Sequence, residues 1–243
     1  SVQPSGIQDV KAVKVKSSTE WIVVGGNGGV RKTLNRGLSW DTVTFAGNIT
    51  PNVRLNAVDF STTLSGYIAG DSGKVYRFFN GKFNPAPQFT QANLYTVYDD
   101  GSTAFVAGDS GKIVKRSAGI WTHKNSGLTA AIRCIVFAPS ASAKGYAVSD
   151  EGKIIQSTDN GDTWSLSLSG VDIDFSSVAC SEAGDSVWAV GTNGIIYQSL
   201  DNGGSWERFS IGTTNNTTNV KVKKDKGYLS GSSGTLRTFN PVN

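Results

Sequence analysis

Two identical strings, Gly-Asp-Ser-Gly, place a serine beside a glycine, as around the nucleophile of a serine protease. They occupy Gly70–Gly73 and Gly108–Gly111. A nucleophilic serine needs a histidine base that a third group holds in place. The chain has one histidine, His123, for two strings. Because both strings also fall in register with a longer repeat, we interpret them as repeat turns and predict no protease activity.

The residues that ligate metals are too few and too isolated to predict a metal site. Beside His123 there are two cysteines, Cys134 and Cys180, without ligand spacing. Counted from Ile132 and Phe175, where their strands begin, the cysteines hold positions of opposite parity and should point to opposite sheet faces. We therefore predict two free thiols, no disulfide, no metal and no cofactor.

The composition is that of a turn-dense globular protein. The 243 residues include 29 glycines, with 38% hydrophobic and 17% charged residues, and no segment approaches the roughly 20 apolar residues of a membrane helix. The net charge is +4, but the basic residues are scattered. The densest cluster, around Lys221–Lys226, alternates with valines as an exposed strand would. We predict no nucleic-acid partner and no transmembrane segment.

An internal repeat organises these residues. A unit containing a Gly-rich turn recurs six times, with its second glycine at Gly28, Gly73, Gly111, Gly152, Gly194 and Gly234. These glycines are separated by 45, 38, 41, 42 and 40 residues. Each unit carries four short runs of period-two alternation, which predict four antiparallel strands. In the second unit these runs are Leu55–Phe60, Gly66–Gly70, Lys74–Phe79 and Lys82–Phe89. Six such units predict an all-β, six-bladed β-propeller.

The blade ranges follow from the repeat. We predict one domain over 1–243, with blades at approximately 8–45, 54–90, 93–124, 131–168, 174–210 and 217–240. The sixth unit ends without an outermost strand, whereas Ser1–Ile7 precede the first strand of blade one. We predict that this N-terminal strand completes the last blade and leaves no open edge in the ring.

Three units carry a second motif in the same register, a hairpin that ends in tryptophan. Its residues are Asn35, Gly37 and Trp40 in unit one, Asp159, Gly161 and Trp164 in unit four, and Asp201, Gly203 and Trp206 in unit five. The Asp or Asn oxygen can accept amides of its own turn, and the glycine supplies a positive φ. We predict a structural role for all nine residues and no catalytic residue.

With the run Gly194–Ser199 before one hairpin, these motifs resemble the BNR/Asp-box repeat propellers. Among those, the chain looks most like the photosystem II assembly and stability factor group and its bacterial relatives. The resemblance implies a non-enzymatic scaffold that binds other proteins. Sialidases share the Asp box, but their arginine triad and Tyr–Glu pair find no counterpart around Arg54, Arg133 or the four glutamates. We predict that the chain is not an enzyme.

The face that carries the Gly-rich turns and the connections between blades is the predicted binding face, because variable loops on a repeated framework are the usual place for recognition. The alternative is that its acids form solvated, locally neutral turns, since lysines follow several of them. The candidate residues are Asn27, Arg54, Asp71, Asp109, Asp150, Asp172, Asp174 and Asn193.

The predicted function is macromolecular recognition or assembly, with a protein partner or identical copies of the chain. Two alternatives stay open: a self-assembling structural protein of a virion, filament or cell-surface layer, and a carbohydrate-binding lectin with a glycan ligand. The loops contain few aromatic residues for a lectin, since all six tryptophans fall at repeat positions. The missing methionine at Ser1 suggests a removed export signal, so we predict an exported protein.

Overall fold

The computed structural model describes residues 7, 9–48, 51–62, 64–210, 212–223 and 226–241. The chain divides into two compact units, the first formed by 1–109 with 114–122 and the second by 110–113 with 123–243. Each unit is built from antiparallel sheets whose strands follow one another along the chain, and we number these sheets as blades one to six. No helix in the described part of the chain is long and apolar enough to cross a membrane.

Blades one to three contain four strands each. Their bounds are Val10–Val15 (β1), Trp21–Gly25 (β2), Val30–Thr33 (β3) and Asp41–Thr42 (β4) in blade one; Leu55–Phe60 (β5), Gly66–Gly70 (β6), Val75–Phe79 (β7) and Lys82–Pro85 (β8) in blade two; and Leu94–Asp99 (β9), Thr103–Gly108 (β10), Ile113–Ser117 (β11) and Ile120–Lys124 (β12) in blade three.

Blades four and five also contain four strands, and blade six contains three in the described residues. Their bounds are Ile132–Ala138 (β13), Ala141–Ser149 (β14), Lys153–Ser157 (β15) and Ser165–Leu168 (β16) in blade four; Phe175–Cys180 (β17), Val187–Gly191 (β18), Ile195–Ser199 (β19) and Glu207–Ser210 (β20) in blade five; and Thr217–Lys223 (β21), Lys226–Gly231 (β22) and Leu236–Phe239 (β23) in blade six.

In blades two and five both sheet faces are covered by a neighbouring sheet, so β6 and β18 are buried at every residue and do not alternate. Blades one and two share a cluster that includes Ile22 and Leu55, and blades four and five share one that includes Val148 and Phe175. Blades two with three and five with six are joined in the same way. Burying a side chain such as Phe175 contributes about 1.5–3 kcal/mol, so these clusters hold the blades of each unit together.

The turn between the second and third strands has the same geometry throughout. In blade four the carbonyl of Val171, in the connection to blade five, lies 2.0 Å from the place that a Cβ on Gly152 would occupy. Gly152 also has a φ of 64°, which L-residues rarely adopt. Glycine is therefore required at this turn, and the connection packs directly over it.

The strand predictions for blade two differ slightly from the structure at its outer edge. The fourth strand ends at Pro85 and not at Phe89. The Ala86 amide still donates to the Val75 carbonyl, but the chain then leaves the sheet, and Phe89 packs its ring 4.9 Å from that of Trp121. The tryptophans of the hairpins lie just before the fourth strands and not within them. The predicted N-terminal strand falls on Ser1–Ile7, which lie outside the described residues except for Ile7.

Candidate functional site

The second unit carries a polar groove of about 450 Å³ where the connections between blades meet the Gly-rich turns. It is formed at the ends of blades four, five and six. The groove is lined by Glu151, Val171, Asp172, Ile173, Asp174, Thr192, Asn193 and Asn216. Ile173 is buried, whereas the three carboxylate residues and the two asparagines are exposed. The groove is therefore a polar surface on an apolar base.

One wall of the groove is a hydrogen-bonded link between blades. The Asp174 carboxylate accepts the backbone amide of Glu151 at 3.0 Å, and Thr192 Oγ1 accepts the amide of Asp174 at 3.2 Å. In the next blade the Asn216 side-chain oxygen accepts the amide of Asn193 at 3.2 Å. The amide that is bound belongs each time to a turn residue with a φ of about 62°. These links fix the turns in place before any ligand arrives.

The same link in blade two shows that it does not require a charge. There the side-chain oxygen of Asn93 accepts the amide of Ser72 at 3.0 Å. Asn93, Asp174 and Asn216 each immediately precede the first strand of the following blade. The amide oxygen of asparagine serves as well as the carboxylate, so the negative charge of Asp174 is available for another role.

The groove has an excess of negative charge. It contains the carboxylates of Glu151, Asp172 and Asp174, and the nearest cation in the hydrogen-bond network is Lys153, whose Nζ donates to Glu151 Oε2 at 2.8 Å. The neighbouring Asp150 is neutralised separately by Arg133, which donates from Nε at 2.8 Å and from Nη2 at 2.6 Å. Two net negative charges thus face the groove, which favours a cationic ligand group.

The structure brings three of the predicted binding residues together: Asp172, Asp174 and Asn193 line the groove. Asp150 directly precedes the groove residue Glu151 in the sequence, but its carboxylate is engaged by Arg133. The others belong to the first unit and serve local contacts. Asn27 is the left-handed residue of its turn, Arg54 lies 3.5 Å from Asp9, Asp71 accepts from Asn56, and Asp109 accepts the amide of Asn93.

Sequence reasoning missed several lining residues, above all Glu151, Thr192 and Asn216. The repeat register contained a signal for all three. Glu151 occupies the turn position that Asn27 and Asn193 hold in their blades, and Asn216 holds the position of Asp174. Thr192 occupies the turn position of Asp71, Asp109 and Asp150, and its hydroxyl accepts the Asp174 amide as the Asp109 carboxylate accepts the Asn93 amide.

Each tryptophan hairpin contains a network of hydrogen bonds among its own side chains and backbone amides. In blade four Ser157 Oγ donates to Asp159 Oδ1 at 2.8 Å and accepts the Gly161 amide at 2.8 Å. The Thr163 amide and hydroxyl both donate to Asp159, at 2.9 and 2.6 Å. Ser199, Asp201, Gly203 and Ser205 repeat this network in blade five, and Thr33, Asn35, Gly37 and Ser39 form its neutral version in blade one.

These hydrogen bonds stabilise the ionised aspartates. The donors of Thr163 and Ser157 lower the pKa of Asp159 to about 2, and those of Ser205 and Ser199 lower the pKa of Asp201 to about 2. A general acid needs a raised pKa, so both aspartates are suited to holding a turn and not to proton donation. The tryptophan of the blade-five hairpin also forms a hydrogen bond, since Trp206 Nε1 donates to Ser167 Oγ at 3.0 Å.

The two thiols, Cys134 and Cys180, are free and lie on opposite faces of their own sheets. Both nevertheless pack against the same apolar cluster between blades four and five. The reason is that adjacent blades stack with opposite faces together. Burial raises the pKa of Cys180 to about 12. His123 lies exposed on the outermost strand of blade three.

Repeated antiparallel sheets, Gly-rich turns beneath the connections and Asp-box hairpins define the class of protein as a β-propeller with Asp-box repeats. The family model of the photosynthesis system II assembly factor YCF48 matches residues 113–214, which is less than half of the chain. The match confirms, over these residues, the resemblance to the photosystem II assembly factor group. No curated protein matches the chain.

Solved structures extend the likeness over the whole chain. A structure described as "YCF48 from Cyanidioschyzon merolae" has a TM-score of 0.63 at 18% identity and covers 99% of this chain and 98% of its own. One described as "YCF48 bound to D1 peptide" has a TM-score of 0.52 at 17% identity, with 98% and 94% covered. At these identities the likeness shows the fold, and the predicted six-bladed β-propeller is confirmed.

Proposed function

We propose that this chain is a non-enzymatic, protein-binding assembly factor that holds an extended segment of a partner protein in the groove of blades four to six. A basic side chain of the partner would lie among the carboxylates of Glu151, Asp172 and Asp174. The observation that carries the proposal is the overlap of the groove with the family match. Seven of its eight lining residues fall within residues 113–214.

The similar structures support a peptide ligand. One of the two propellers is described as YCF48 bound to D1 peptide, so a chain of this fold has been observed with a peptide ligand. The present groove offers what such a ligand needs: exposed amide side chains at Asn193 and Asn216 for backbone groups, and exposed acids for a cationic side chain. Its turns are already fixed by the links between blades, which lowers the entropic cost of binding.

The arrangement supports binding and not catalysis. The described residues contain no group of three or more His, Cys, Asp or Glu that could hold a metal ion. The aspartates with the largest pKa shifts, Asp159 and Asp201, hold their own hairpins.

The groove lacks aromatic lining residues, which a sugar-binding site would use. Neither the lectin nor the self-assembling lattice gains support from the comparisons. Export stays a prediction, testable by fractionation of source cells.

The experiment compares charge-neutral variants that keep the fold. The double variant Asp172→Asn/Asp174→Asn removes two charges but retains an oxygen for the Glu151 amide, as Asn93 does for Ser72. The probe is a set of ten-residue, end-capped fluorescent peptides with two central arginines, measured by anisotropy against the same set with glutamates. Wild-type protein should prefer the arginine peptides, and the variant should bind them about three- to tenfold more weakly.

A matched control removes the same number of charges elsewhere. Asp41→Asn/Asp100→Asn changes two exposed acids of the first unit and should leave the affinity within about twofold of wild type. Equal binding of arginine and glutamate peptides, or the same loss in both double variants, would exclude the groove as a site for a basic segment.

A further inference from the structure

Five asparagine–glycine pairs occur in the chain, namely Asn27-Gly28, Asn80-Gly81, Asn160-Gly161, Asn193-Gly194 and Asn202-Gly203. All ten residues have a positive φ, between 50° and 80°. Asparagine before glycine is especially open to loss of its side-chain amide, because glycine has no side chain to shield its own backbone nitrogen. The residue types and the turn conformation are the same in all five pairs, so their surroundings in the fold must distinguish them.

Deamidation requires a free nitrogen and a turn that can change shape. The amide nitrogen of the glycine attacks Cγ of the asparagine. The new N–C bond forms as the glycine amide loses its proton, the Cγ–Nδ2 bond breaks and ammonia leaves. Water then opens the resulting succinimide ring at either carbonyl carbon, which gives aspartate or isoaspartate. A glycine amide that already donates a hydrogen bond must first break it before it can reach Cγ.

Three of the five pairs are held at the glycine nitrogen. Their amides donate to oxygens of the protein at 2.7–2.8 Å, Gly28 to Val53 O, Gly161 to Ser157 Oγ and Gly203 to Ser199 Oγ. All three glycines are buried. The side chain of Asn202 is engaged as well, since its Oδ1 accepts Lys144 Nζ at 2.6 Å. Reaction at these pairs therefore needs local opening of the fold.

The pair Asn193-Gly194 is held by the connection that packs over it. Asn193 is exposed, but Gly194 is buried, and the carbonyl of Thr213 lies 2.1 Å from the place that a Cβ on Gly194 would occupy. The Asn193 amide also donates to the Asn216 side chain at 3.2 Å. The backbone of this turn therefore cannot rotate unless the connection between blades five and six moves away.

The pair Asn80-Gly81 has none of these restraints. It is the two-residue turn between β7 and β8, both residues are exposed, and nothing lies within 4 Å of the place of a Cβ on Gly81. No hydrogen bond in the described part of the chain engages the Asn80 side chain or the Gly81 amide. Asn84 Nδ2 donates to the carbonyls of Phe79 and Lys82, on either side of the pair, so it holds the strand ends and leaves the turn free.

We propose that Asn80 is a site of spontaneous deamidation, at which the folded protein converts asparagine to aspartate and isoaspartate far faster than at its other asparagine–glycine pairs. The reactants are the protein and water, and ammonia is the product that leaves. The formal net charge of +4 gains one negative charge and becomes +3. The blade stays folded, because Phe83 beyond the turn is 0% exposed and packs against Phe45, Phe60 and Phe78.

The test follows all five pairs in one sample. Folded protein is incubated in mildly alkaline buffer made with water that carries heavy oxygen, which marks every residue hydrolysed during the incubation. It is then digested in unlabelled water and analysed by mass spectrometry, with fragmentation that distinguishes isoaspartate from aspartate. The Asn80 peptide should gain label at least about tenfold faster than the other four peptides, because each of those must first break a hydrogen bond or move a buried glycine.

Unfolding and a pair of variants supply the controls. In concentrated urea the five rates should agree within about threefold, since the reacting pair is the same in each peptide. Asn80→Ser should abolish the more acidic species that ion-exchange chromatography resolves as the wild-type protein ages. Asn27→Ser is the matched control, because serine holds the same left-handed turn position at Ser72 and Ser110, and it should leave that species unchanged.

Three results would overturn the proposal. The first is no label at Asn80 of the folded protein over a period in which the urea-unfolded chain is labelled. The second is equal rates at Asn80 and Asn193 in the folded protein, since the packed connection would then give no protection. The third is a preference for Asn80 that persists in urea, which would place its cause in the neighbouring sequence. The groove proposal survives all three, because Asn80 lies in the first unit and the groove in the second.

Discussion

Replacement of Asp159 by alanine tests whether the Asp-box hairpin of blade four is a structural device. The change removes the acceptor for the Thr163 amide, the Thr163 hydroxyl and the Ser157 hydroxyl. Three hydrogen bonds to a carboxylate would contribute several kcal/mol if buried, but the hairpin is exposed to water. We therefore expect the free energy of unfolding to fall by about 1–2 kcal/mol at pH 7.

The pH dependence identifies the part of this effect that comes from the charge. Hydrogen bonding lowers the pKa of Asp159 from 3.8 to about 2 in the folded protein. A lowered pKa stabilises the fold above the unfolded pKa, and the stabilisation is lost as the pH falls from about 4 to about 2. After discounting for solvent screening, we expect the gap between wild type and Asp159→Ala to narrow by about 1 kcal/mol over this range.

The assay is urea unfolding monitored by tryptophan fluorescence at pH 7 and at pH 2.5. Asp159→Asn is the control, because Asn35 holds the equivalent hairpin of blade one with the same amide contacts. It should cost less than alanine at pH 7 and show a smaller change with pH. An alanine variant as stable as wild type at pH 7, or a deficit that does not narrow in acid, would refute the structural account.

Two further predictions concern Gly152 and Cys180 of the second unit. Gly152→Ala places a Cβ about 2.0 Å from the Val171 carbonyl at a φ of 64°, so thermal and urea unfolding should show that the free energy of unfolding falls by about 2–4 kcal/mol. The control Gly170→Ala has a φ of 76° but nothing within 4 Å of the new Cβ, so it should lower the free energy of unfolding by about 1–2 kcal/mol. Equal losses in the two variants would contradict the packing argument. Cys180, with its pKa raised to about 12, should react with iodoacetamide at pH 8 at least tenfold more slowly in the folded protein than in urea, and equal rates would show that the thiol is not buried.

The strand pattern was predictable because the same pattern occurs in six units, so an irregular residue in one unit does not obscure it. Six units with the same turn give six readings of one strand order, and the observed β5 and β6 begin and end where the alternation in blade two does. The ends of fourth strands were less predictable. They lie at the outer edge, where β8 stops at Pro85 because proline and the packing of Phe89 on Trp121 take the chain out of the sheet.

The candidate site was predictable only in part. Asp172, Asp174 and Asn193 were found because they lie on connections and turns, and these are the places where recognition residues collect. Asp71 and Asp109 were predicted as binding residues for the same reason, but each of them is engaged by an asparagine near its own turn. Side-chain partners across blades depend on how the connections fold, and no local pattern records them.

The sequence by itself determined the fold class, the turn glycines and the Asp-box hairpins, because each depends on residues within one repeat and on backbone preferences that those residues impose. The tertiary structure decided which residues meet between repeats. It brought Cys134 and Cys180 to one cluster despite their opposite parity and joined Asp174 to the Glu151 turn. Contacts between blades arise from stacking of whole sheets, so they are fixed only when the sheets pack.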